Sequence, residues 1–439
     1  MNITVIGTGH VGLVTAATLA SFGHEVSAVD ADTEKIDMLI RGDQPFFEPG
    51  LPEIVSEQVS AGRLTFAHES ASVLPGADIV LICVGTAANP DGETNLAAIE
   101  QAASDISQHA DDGTIVVGKS TVPAGTAERI RATFTRIRPD AGFHLVSNPE
   151  FLREGTAVRD SLEPDRLLVG SDREEGFEAM RRLYAPLIER GVRLIETDVA
   201  TAELSKHASN AFLALKISYA NALGRICEGV GADVGAVTDV MGSDPRIGSA
   251  FLGAGLGYGG YCLPKDVAAF ERLAERLGYA FPMLAEVARI NDEAVQSVVD
   301  RVRDAVGALS GSRVAILGLS FKPGTDDVRQ SPALALAARL QEQGADVAGF
   351  DPLASANAKV ELPQIRIATD VYDAADRANV VVLATAWPEF QRLDLSRLRH
   401  VVASPTFVDA RNAMDGRAVV DAGFAYVSVG RPPLRPAGT

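Results

Sequence analysis

The hydrophobic positions near the amino terminus follow two different periods in succession. Ile3–Ile6 is a short run rich in β-branched residues, which predicts a strand, and the Ala-rich segment Leu13–Ser21 predicts a helix. A second run, Val26–Val29, predicts another strand and is followed by Asp30. The pattern therefore predicts a strand–turn–helix–strand unit at the start of the chain.

The turn of this unit has the sequence Gly7-Thr-Gly9-His-Val-Gly12. In dinucleotide-binding units the first glycine allows a tight turn, the second admits a pyrophosphate at the helix N-terminus, and the third allows close helix–strand packing. Asp30 stands where an acid binds the adenosine ribose diol and repels a 2′-phosphate, which favours NAD over NADP. We therefore predict a Rossmann-like NAD-binding domain over residues 1–200.

Further apolar runs extend the predicted sheet. Ile79–Val84, Thr114–Gly118 and His144–Ser147 each predict a strand and each leads into small or polar residues. Ligands of open parallel sheets bind at the carboxyl ends of the strands, so we expect the binding site at this edge. Cys83 lies inside an apolar run, and we expect it in the core.

The same pattern recurs in the last third of the chain. Arg313–Gly318 predicts a strand, Pro332–Gln343 a helix, and Val347–Phe350 a strand that is followed by Asp351. Between the first strand and the helix, Phe-Lys322-Pro-Gly replaces the glycine turn. We therefore predict a second Rossmann-like domain over 306–439 that binds a different nucleotide, held by Lys322.

The middle of the chain has helical periodicity. Thr201–Gly229 predicts one long helix, and the helical pattern continues to about residue 310 with a break at 242–266. We predict a central helical and dimerisation domain over 201–305. The expected fold class is α/β, with two Rossmann-like parallel-sheet domains joined by a central helical region that contains a long helix.

The break contains the most unusual stretch of the chain, Gly253–Asp266. Five glycines within eight residues (253–260) are too costly in chain entropy for an ordinary helix or strand. They are followed by Cys262, with Lys265 and Asp266 close behind. A thiol flanked by a cation and a carboxylate favours a nucleophile. On the residues alone, a flexible segment that ends in a structural cysteine remains the alternative.

Two further segments place charged or amide groups in apolar surroundings. Lys206 and Asn210 are four residues apart on the predicted long helix and share one face, where they could stabilise a developing negative charge. The segment Asn148-Pro-Glu150-Phe-Leu-Arg-Glu154 follows a predicted strand. An exposed helical pair and a charged turn are the respective alternatives.

Composition excludes several classes of partner. The chain has 439 residues, enough for two or three domains, and a formal net charge of −18, which argues against nucleic acid or an anionic membrane as a partner. Only seven residues are lysine, and four of them fall in the motifs described here. The three cysteines and seven histidines have no spacing typical of disulfides or metal ligands, so no metal is predicted. Without a visible signal peptide or membrane-spanning run, we expect a cytoplasmic protein.

Eight motifs occur along the chain in order: Gly7-x-Gly-x-x-Gly12, Glu48-Pro-Gly-Leu51, Lys119-Ser-Thr-Val-Pro123, Asn148-Pro-Glu-Phe-Leu152, Lys206-x-x-x-Asn210, Gly257-Tyr-Gly-Gly-x-Cys262-x-Pro-Lys-Asp266, Phe321-Lys-Pro-Gly-Thr-Asp-Asp327 and Trp387-Pro-Glu-Phe390. In this order they resemble the motifs of the UDP-glucose/GDP-mannose dehydrogenase family over essentially the whole length. Asp244-Pro-Arg246-Ile-Gly248 is more similar to the UDP-glucose branch than to the GDP-mannose branch.

The resemblance implies an NAD-dependent, four-electron oxidation of a sugar primary alcohol to a carboxylate, here UDP-glucose to UDP-glucuronate. It implies that Cys262 forms a thiohemiacetal and then a thioester, and that Asp266 positions or deprotonates water. The other implied roles are oxyanion stabilisation by Lys206 and Asn210, acid/base catalysis by Glu150 and water binding by Thr121. Which carboxylate is the general base stays open.

The resemblance also implies two sets of binding residues and a homodimer or larger homo-oligomer, in which Arg246 reaches the sugar site of the other subunit. The residues expected to contact NAD are Gly7, Gly9, Val11, Gly12, Asp30, Lys35, Thr86, Thr121, Glu154, Lys265 and Arg329. Those expected to hold the UDP-sugar are Phe151, Leu152, Arg153, Lys206, Asn210, Arg246, Tyr258, Gly259, Lys322 and Arg411.

Three alternatives to this function remain at this stage. A member of the same family could oxidise GDP-mannose or another nucleotide sugar. A two-electron NAD hydroxyacid dehydrogenase would produce one NADH per substrate and would not need Cys262. A sugar-nucleotide sensor without catalysis is disfavoured because Lys206, Asn210, Cys262 and Asp266 are all present. Ala87 and Tyr261 depart from the family pattern next to the expected cofactor and thiol positions, so they are expected to affect ligand affinity. Neither departure removes a group that the chemistry needs.

Overall fold

The computed structural model of the chain describes residues 1–87, 89 and 92–436. It divides into two compact units. The amino-terminal unit contains Met1–Ser209 and Arg272–Leu277, and the carboxyl-terminal unit contains Asn210–Glu271 and the residues from Gly278 onward. The division into three domains over 1–200, 201–305 and 306–439 stays a prediction.

The amino-terminal unit is built on an eight-stranded sheet with the order β3-β2-β1-β4-β5-β6-β7-β8. All neighbouring strands are parallel except β6 and β7, which pair antiparallel. The sequence pattern did not predict this reversal. The strands are β1 (Asn2–Ile6), β2 (Glu25–Val29), β3 (Leu64–Ala67), β4 (Ile79–Ile82), β5 (Ile115–Gly118), β6 (His144–Ser147), β7 (Leu167–Ser171) and β8 (Leu194–Thr197).

Helices cover both faces of this sheet, and β4 shows why. Ile79 and Leu81 belong to one buried cluster while Val80 and Ile82 belong to another, so the strand is apolar on both sides, as parallel strands of doubly covered sheets are. The helices are α1 (His10–Ser21), α2 (Thr33–Arg41), α3 (Leu51–Ser60), α4 (Ala97–His109), α5 (Thr126–Ile137), α6 (Ala157–Leu162), α7 (Glu174–Leu183) and α8 (Ala185–Glu189).

The longest helix is α9 (Val199–Val230), and its residues divide between the two units at Ser209. The long helix predicted from Thr201 to Gly229 is thus confirmed with slightly wider bounds. It is followed by α10 (Val234–Gly242), α11 (Cys262–Arg276) and α12 (Pro282–Val306). No helix in the described parts of the chain is both long and apolar enough to cross a bilayer.

The carboxyl-terminal unit contains a six-stranded, fully parallel sheet with the order β11-β10-β9-β12-β13-β14. The remaining elements are β9 (Arg313–Leu317), α13 (Pro332–Glu342), β10 (Asp346–Phe350), α14 (Ser355–Glu361), β11 (Arg366–Ile367), α15 (Val371–Ala374), β12 (Val380–Leu383), α16 (Leu395–Val401), β13 (Thr406–Asp409), α17 (Gly416–Asp421) and β14 (Ala425–Ser428). The predicted α/β class with two Rossmann-like sheets and a central helical region is confirmed.

In both sheets the strand order reverses next to the first strand of the half, between β1 and β4 and between β9 and β12. Connections leave the two strands of such a pair on opposite sides and open a crevice at their carboxyl ends. The segments after β1, β4, β5 and β6 therefore define the predicted binding edge in the amino-terminal unit.

The start of α11 corrects one expectation. The break was predicted to extend through residue 266, whereas α11 begins at Cys262, so Lys265 and Asp266 lie on a helix. Pro264 lies in the first turn, where a backbone N–H has no partner within the helix and proline is tolerated.

Candidate active site

The glycine turn after β1 has the geometry that the sequence predicted. Gly7 has φ 101°, and a Cβ at this position would lie 2.6 Å from the carbonyl oxygen of Cys83. A Cβ on Gly12 would lie 1.8 Å from the carbonyl oxygen of Gly7. Both positions therefore require glycine, the first for the turn and the second for close packing of α1. Cys83 is 6% exposed, which confirms it as a core residue.

Gly9 differs from the other two glycines. It is the N-cap residue of α1, has no side-chain cap, and no heavy atom would lie within 4 Å of an added Cβ. The first amides of α1 and the positive end of its dipole thus border an open surface, which fits a pyrophosphate. Val11 is half-buried in the first turn of the same helix.

Asp30 follows β2 beside this turn and is held as an anion. Its Oδ2 accepts hydrogen bonds from the amide of Thr8 at 2.7 Å and the hydroxyl of Thr8 at 2.9 Å. Burial acts to raise the pKa of Asp30, but the amides of Asp32 and Thr8 and the ammonium of Lys35 bring it below the ordinary value. The Lys35 Nζ lies 3.4 Å from Asp30 Oδ2. An ionised carboxylate at this position fits the ribose diol of NAD.

Thr86 and Thr121 lie in the segments that follow neighbouring strands β4 and β5. The Thr86 hydroxyl donates to the Thr121 carbonyl at 2.9 Å, which ties the two segments together. Glu154 is half-buried in the segment after β6. The amino-terminal unit therefore brings most of the predicted NAD contacts to the carboxyl edge of its sheet, and these residues fit the cofactor.

A buried polar cluster fixes the start of the Asn148–Glu154 segment. Lys119 Nζ donates to Asn148 Oδ1 at 3.1 Å and to the Tyr184 hydroxyl at 3.2 Å, and that hydroxyl donates to Asn148 Oδ1 at 2.7 Å. Asn148 Nδ2 donates to the carbonyl of Leu168 at 2.8 Å. The cluster joins the ends of β5 and β6 to β7 and α8.

Glu150 and Lys206 form a buried ion pair. Lys206 Nζ lies 3.0 Å from Glu150 Oε1, and the two residues are 3% and 6% exposed. The other carboxylate oxygen of Glu150 accepts from the Leu152 amide at 2.5 Å. Lys206 also lies 5.3 Å from the centre of the Phe151 ring. The structure thus excludes a solvated face for Lys206 and brings it to the predicted acid/base residue.

Arg153 is already engaged within its own unit. Its Nε and Nη2 donate to Asp160 at 2.9 and 2.6 Å, and its amide donates to the same carboxylate. The ion pair holds the segment against α6. A contact between Arg153 and a sugar diphosphate stays a prediction, and it would have to share or replace this pair.

In the carboxyl-terminal unit, Cys262 is an exposed residue at the first position of α11. Asp266 lies one turn further on the same helix and is 1% exposed. Its Oδ2 accepts from Asn210 Nδ2 at 2.6 Å, and its Oδ1 accepts from Lys265 Nζ at 2.6 Å. The thiol and the carboxylate therefore lie one turn apart on α11, and the carboxylate accepts hydrogen bonds on both of its oxygens.

The glycines of the 253–260 stretch approach other parts of the carboxyl-terminal unit. An added Cβ would lie 2.7 Å from the Ala410 carbonyl at Gly255, 2.6 Å from Asn291 Oδ1 at Gly257 and 2.2 Å from the Gln330 carbonyl at Gly259. The close approach inferred from the sequence is thus to the protein itself, and these contacts give the stretch a defined path to Cys262. These contacts favour a defined path over the flexible segment that was the alternative.

Arg411 lies beneath this stretch after β13. Its Nε donates to the Ala384 carbonyl at 2.7 Å and its Nη1 to the Gly257 carbonyl at 2.8 Å. Its Nη2 is buried and has no hydrogen-bond partner among the described residues. Burial lowers the pKa of Arg411 to about 10. A buried guanidinium with a spare donor fits an anionic ligand, as predicted for the UDP-sugar.

The other predicted ligand contacts of this unit have partners of their own. The backbone N–H of Tyr258 donates to the Asn291 side chain, whose Nδ2 donates back to the Tyr258 carbonyl. Burial raises the pKa of the Tyr258 hydroxyl to about 12. Arg329 pairs with Asp327 at 2.6 Å and lies 4.5 Å from the centre of the Tyr261 ring. Lys322 Nζ lies 5.6 Å from the Phe321 ring. Arg246 pairs with Asp244 at 2.6 Å, and its side chain is 87% exposed.

Sequence reasoning missed the residues that support these side chains. The Asn291 side chain binds the backbone N–H and carbonyl of Tyr258, Asn221 accepts from the Gly255 amide at 2.7 Å, and Asp160 holds Arg153. Asn291 and Asn221 lie 33 and 34 residues from the residues they support, whereas Asp160 lies seven residues from Arg153. The one available signal was the occurrence of Asn221 eleven residues after Asn210 on the same predicted helix, three turns along one face.

Comparison with known proteins gives an independent result. Sequence profiles of the UDP-glucose/GDP-mannose dehydrogenase family match three successive parts of the chain: the NAD binding domain over residues 1–188, the central domain over 200–293 and the UDP binding domain over 315–416. NAD as the cofactor, predicted from the glycine turn and Asp30, is thus confirmed.

Whole-chain relatives agree with the profiles. A UDP-glucose 6-dehydrogenase of Rhizobium meliloti is 42% identical over 98% of this chain and 100% of its own length. A UDP-glucose 6-dehydrogenase of Bacillus subtilis is 40% identical over 100% and 99%. The solved structure of a UDP-glucose dehydrogenase from Pyrobaculum islandicum has a TM-score of 0.92 at 36% identity, with 98% of each chain covered. The chain therefore belongs to the UDP-glucose/GDP-mannose dehydrogenase family, whose members are NAD-dependent oxidoreductases.

Proposed function

We propose that this protein is a UDP-glucose 6-dehydrogenase that oxidises the C6 hydroxymethyl group of UDP-glucose to a carboxylate and reduces two NAD per sugar. The observation that supports it most is the arrangement on α11, where Cys262 precedes Asp266 by one turn and Asp266 is held by Asn210 and Lys265. The whole-length relatives named as UDP-glucose 6-dehydrogenases support the choice of sugar.

NAD, when bound, accepts a hydride from C6 in each of the two oxidations. In the first, a carboxylate of the protein takes the proton of the C6 hydroxyl as the hydride leaves, and an aldehyde forms. Glu150 is our candidate because its carboxylate is buried against Lys206, which stabilises the oxyanion that develops on oxygen.

Cys262 then retains the aldehyde. Its thiolate adds to the carbonyl carbon, the oxygen takes up a proton, and a thiohemiacetal results. Loss of that proton and of a second hydride gives a thioester. The oxyanions of these steps are stabilised by the Lys206 ammonium and the Asn210 amide. Covalent retention keeps the aldehyde from leaving between the two oxidations.

Water cleaves the thioester, which gives the carboxylate product and restores the thiol. We assign Asp266 to orient or deprotonate this water, because its carboxylate is buried and held on both oxygens. Thr121 holds a water at the amino-terminal unit's edge in the same assignment. Neither assignment requires a metal ion.

Binding of the substrate is assigned chiefly to the carboxyl-terminal unit. The buried Nη2 of Arg411 is a donor for a uridine diphosphate oxygen or carbonyl, and Lys322 adds a cation. Tyr258 and Gly259 are assigned to the same ligand, and Phe151, Leu152 and Arg153 keep the substrate role implied by the family motif.

We also propose a homodimer formed through α9. Phe212, Tyr219 and Ile226 are spaced by seven residues, so they share one face of the helix, and they are 62%, 52% and 62% exposed. A row of large apolar side chains at this spacing is typical of a helix that packs against a second helix. The exposed Arg246 of each copy would then serve the sugar site of the other.

The test is the ratio of NADH formed to UDP-glucose consumed, with Cys262→Ala as the decisive variant. The wild type should form two NADH per sugar, and Cys262→Ala should lose the second oxidation. Cys227→Ala is the matched control, because Cys227 is a buried thiol on a different helix, α9. One NADH per sugar together with a fully active Cys262→Ala would exclude the thioester route. Faster turnover of GDP-mannose than of UDP-glucose would exclude the proposed substrate.

A further inference from the structure

Glu203 is a buried carboxylate to which the reaction above gives no role. It lies on α9 three residues before Lys206 and is 4% exposed. Its Oε2 accepts a hydrogen bond from the amide of Gly125 at 2.8 Å, and its Oε1 accepts from the amide of Ala127 at 2.9 Å. Both carboxylate oxygens thus bind the backbone at the start of α5.

The start of α5 needs an acceptor from elsewhere. Its N-cap residue, Gly125, has no side chain and adopts φ 94°, a conformation in which other residues are strained. The first amides of a helix have no partner within it, and they form its positive end. Glu203 therefore acts as the cap of α5 from a different helix.

This cap fixes one end of a segment that the reaction uses. Residues 119–124 lead from β5 to α5 and contain Thr121. At their start the amides of Lys119 and Ser120 donate to the Ile82 carbonyl, and in the middle the Thr121 carbonyl accepts from Thr86. Glu203 anchors the other end.

Glu203 also connects this segment to the ion pair of Lys206. One turn of α9 carries Glu203 against the start of α5 and Lys206 against Glu150. A shift of that turn would move the Thr121 segment and the acid/base residue together.

We propose that ionised Glu203 is a positioning residue of the dehydrogenase, which holds the Thr121 segment in the geometry required for NAD binding and hydride transfer. The kinetic part of this inference rests on the proposed function. Glu203 touches neither substrate nor cofactor in this assignment, and it acts through the backbone of α5.

The protonation state of Glu203 makes the role dependent on pH. Burial raises its pKa to about 7, and the two amide hydrogen bonds only partly oppose this; Glu128, which faces it from α5, raises it further. On α9 itself the nearest cation, Lys206, is paired with Glu150. Protonation turns one of the two oxygens into a hydroxyl, which is a weaker acceptor than a carboxylate oxygen, so one of the two hydrogen bonds is weakened as the pH falls below 7.

The test compares the wild type with Glu203→Gln, which keeps the shape but offers one acceptor. We expect kcat to fall and the KM for NAD to rise, together about tenfold in kcat/KM at pH 8, since a small displacement of a positioned segment has effects of this size. The KM for UDP-glucose should stay within about twofold, because Thr121 lies at the NAD side of the assignment. The wild-type loss of rate below pH 7 should be absent from the variant.

Two further variants separate positioning from general stability. Glu203→Asp keeps the charge and should restore both the acid limb of the pH profile and part of the rate. Asp370→Asn removes a carboxylate that also accepts two backbone amides, those of Tyr372 and Asp373 at the start of α15, and it should leave NAD kinetics unchanged. Unchanged NAD KM and pH profile in Glu203→Gln would overturn the proposal, as would an equal effect of Asp370→Asn.

Hydrogen exchange distinguishes failure of this inference from failure of the proposed function. Exchange in the peptide 119–130 requires no turnover. After correction for the intrinsic pH dependence, it should differ between the wild type and Glu203→Gln, and the difference should change as the pH passes through 7. A wild type that does not oxidise UDP-glucose but shows this transition refutes the function alone, and equal protection in both proteins refutes the role of Glu203.

Discussion

Asp30 and Asp351 follow equivalent strands of the two sheets but have different capacities for a ligand. The Oδ2 of Asp30 is held by Thr8 and by Lys35 at 3.4 Å. Asp351 is 2% exposed, and its Oδ2 accepts from the amide and hydroxyl of Ser320 and from the indole of Trp387. With Oδ1 also bound to two backbone amides, Asp351 has no free acceptor for a ribose. Ser320, which stands at the place of Gly9, and Trp387 thus occupy a carboxylate that is less engaged in the first turn.

Tyr184→Phe tests the buried polar cluster at Lys119. The change removes a hydroxyl that donates to Asn148 and accepts from Lys119, so we expect a loss of about 1–2 kcal/mol in the free energy of unfolding. Denaturant unfolding measures it. Tyr279→Phe is the control, because Tyr279 is 62% exposed. Equal stabilities of the two variants would show that the cluster adds nothing to folding.

Residues with a local signature were predictable from the sequence, and residues that act through long-range contacts were not. Gly7 and Gly12 were assigned correctly because their roles depend on a turn of a few residues. The small, apolar neighbours of Lys206 and Asn210 indicated burial but left an exposed pair open, and the structure buries both residues. Glu203 and Asn291 could not be found, because the groups they bind lie 33 or more residues away.

At the scale of elements, α9 carries most of what distinguishes this protein from a plain pair of nucleotide-binding sheets. Glu203, Lys206 and Asn210 recur at spacings of three and four residues and are all buried. The apolar row of Phe212, Tyr219 and Ile226 follows on the next turns of the same helix. A helix that positions polar groups at one end and presents an apolar face at the other tolerates neither a proline nor a shift in register.

The free energy of unfolding should depend on pH through Glu203. Because the pKa of Glu203 in the folded protein, about 7, lies above its ordinary value of 4.5, the folded state binds this proton more tightly than the unfolded state. Its contribution to stability is thus fully present below pH 4.5 and is lost as the pH rises through 7. Between pH 5 and pH 8 the wild type should lose about 2–3 kcal/mol relative to Glu203→Gln.

Thermal or denaturant unfolding of both proteins at several pH values checks this difference. Other titrating groups cancel in the comparison, since they are common to both proteins. A constant difference across the range would mean that Glu203 keeps an ordinary pKa in the folded state.

Ile226→Glu tests the proposed dimer face. A charge in the middle of an apolar contact is not compensated, so the variant should be monomeric at concentrations where the wild type is a dimer. Light scattering after gel filtration measures the mass. Val360→Glu is the matched control, since Val360 is 81% exposed and lies on α14. A monomeric wild type, or a dimeric Ile226→Glu, would remove α9 as the interface.

Element boundaries were predicted well where a single period dominates, as in β1 and α9, and poorly at α11. The glycines that end at Gly260 and the proline at position 264 both indicate a non-helical segment. Helix geometry nevertheless accepts proline in its first turn, so the cysteine begins a helix rather than ending a loop. The antiparallel β7 was equally invisible, because an apolar strand carries no mark of its direction.

At the scale of the whole molecule, two sheets share one strand order and one buried strand pattern. In β12, Val380 and Val382 face one cluster while Val381 and Leu383 face another, as in β4. The fold class could be predicted because the same strand–turn–helix–strand pattern occurs twice in the sequence. The sequence did not predict that the second turn would be unable to bind a ribose through Asp351. That result depends on which groups donate hydrogen bonds to the Asp351 carboxylate oxygens in the folded chain.

One NAD per chain is therefore expected, despite two nucleotide-type halves. Equilibrium dialysis of NAD against the protein should saturate at one per chain, and Asp30→Asn should weaken that binding while Asp351→Asn leaves its stoichiometry unchanged. Asp351→Asn is expected to destabilise the carboxyl-terminal unit, which the emission of Trp387, the one tryptophan of the chain, would report. Two NAD bound per chain would contradict the inference that Asp351 has no free acceptor for a ribose.

The fully hydrogen-bonded carboxylate of Asp351, and the single NAD site per chain that follows from it, have a kinetic consequence. With one NAD site per chain, the two NAD molecules used per sugar must bind in succession. The first must dissociate as NADH while the sugar is still at the aldehyde level. On the proposed route the aldehyde is bound to Cys262 as a thiohemiacetal, so the lifetime of this adduct must exceed the time needed for NADH to be replaced by NAD. On this route Cys262 must therefore hold the intermediate throughout cofactor exchange, in addition to acting as the nucleophile.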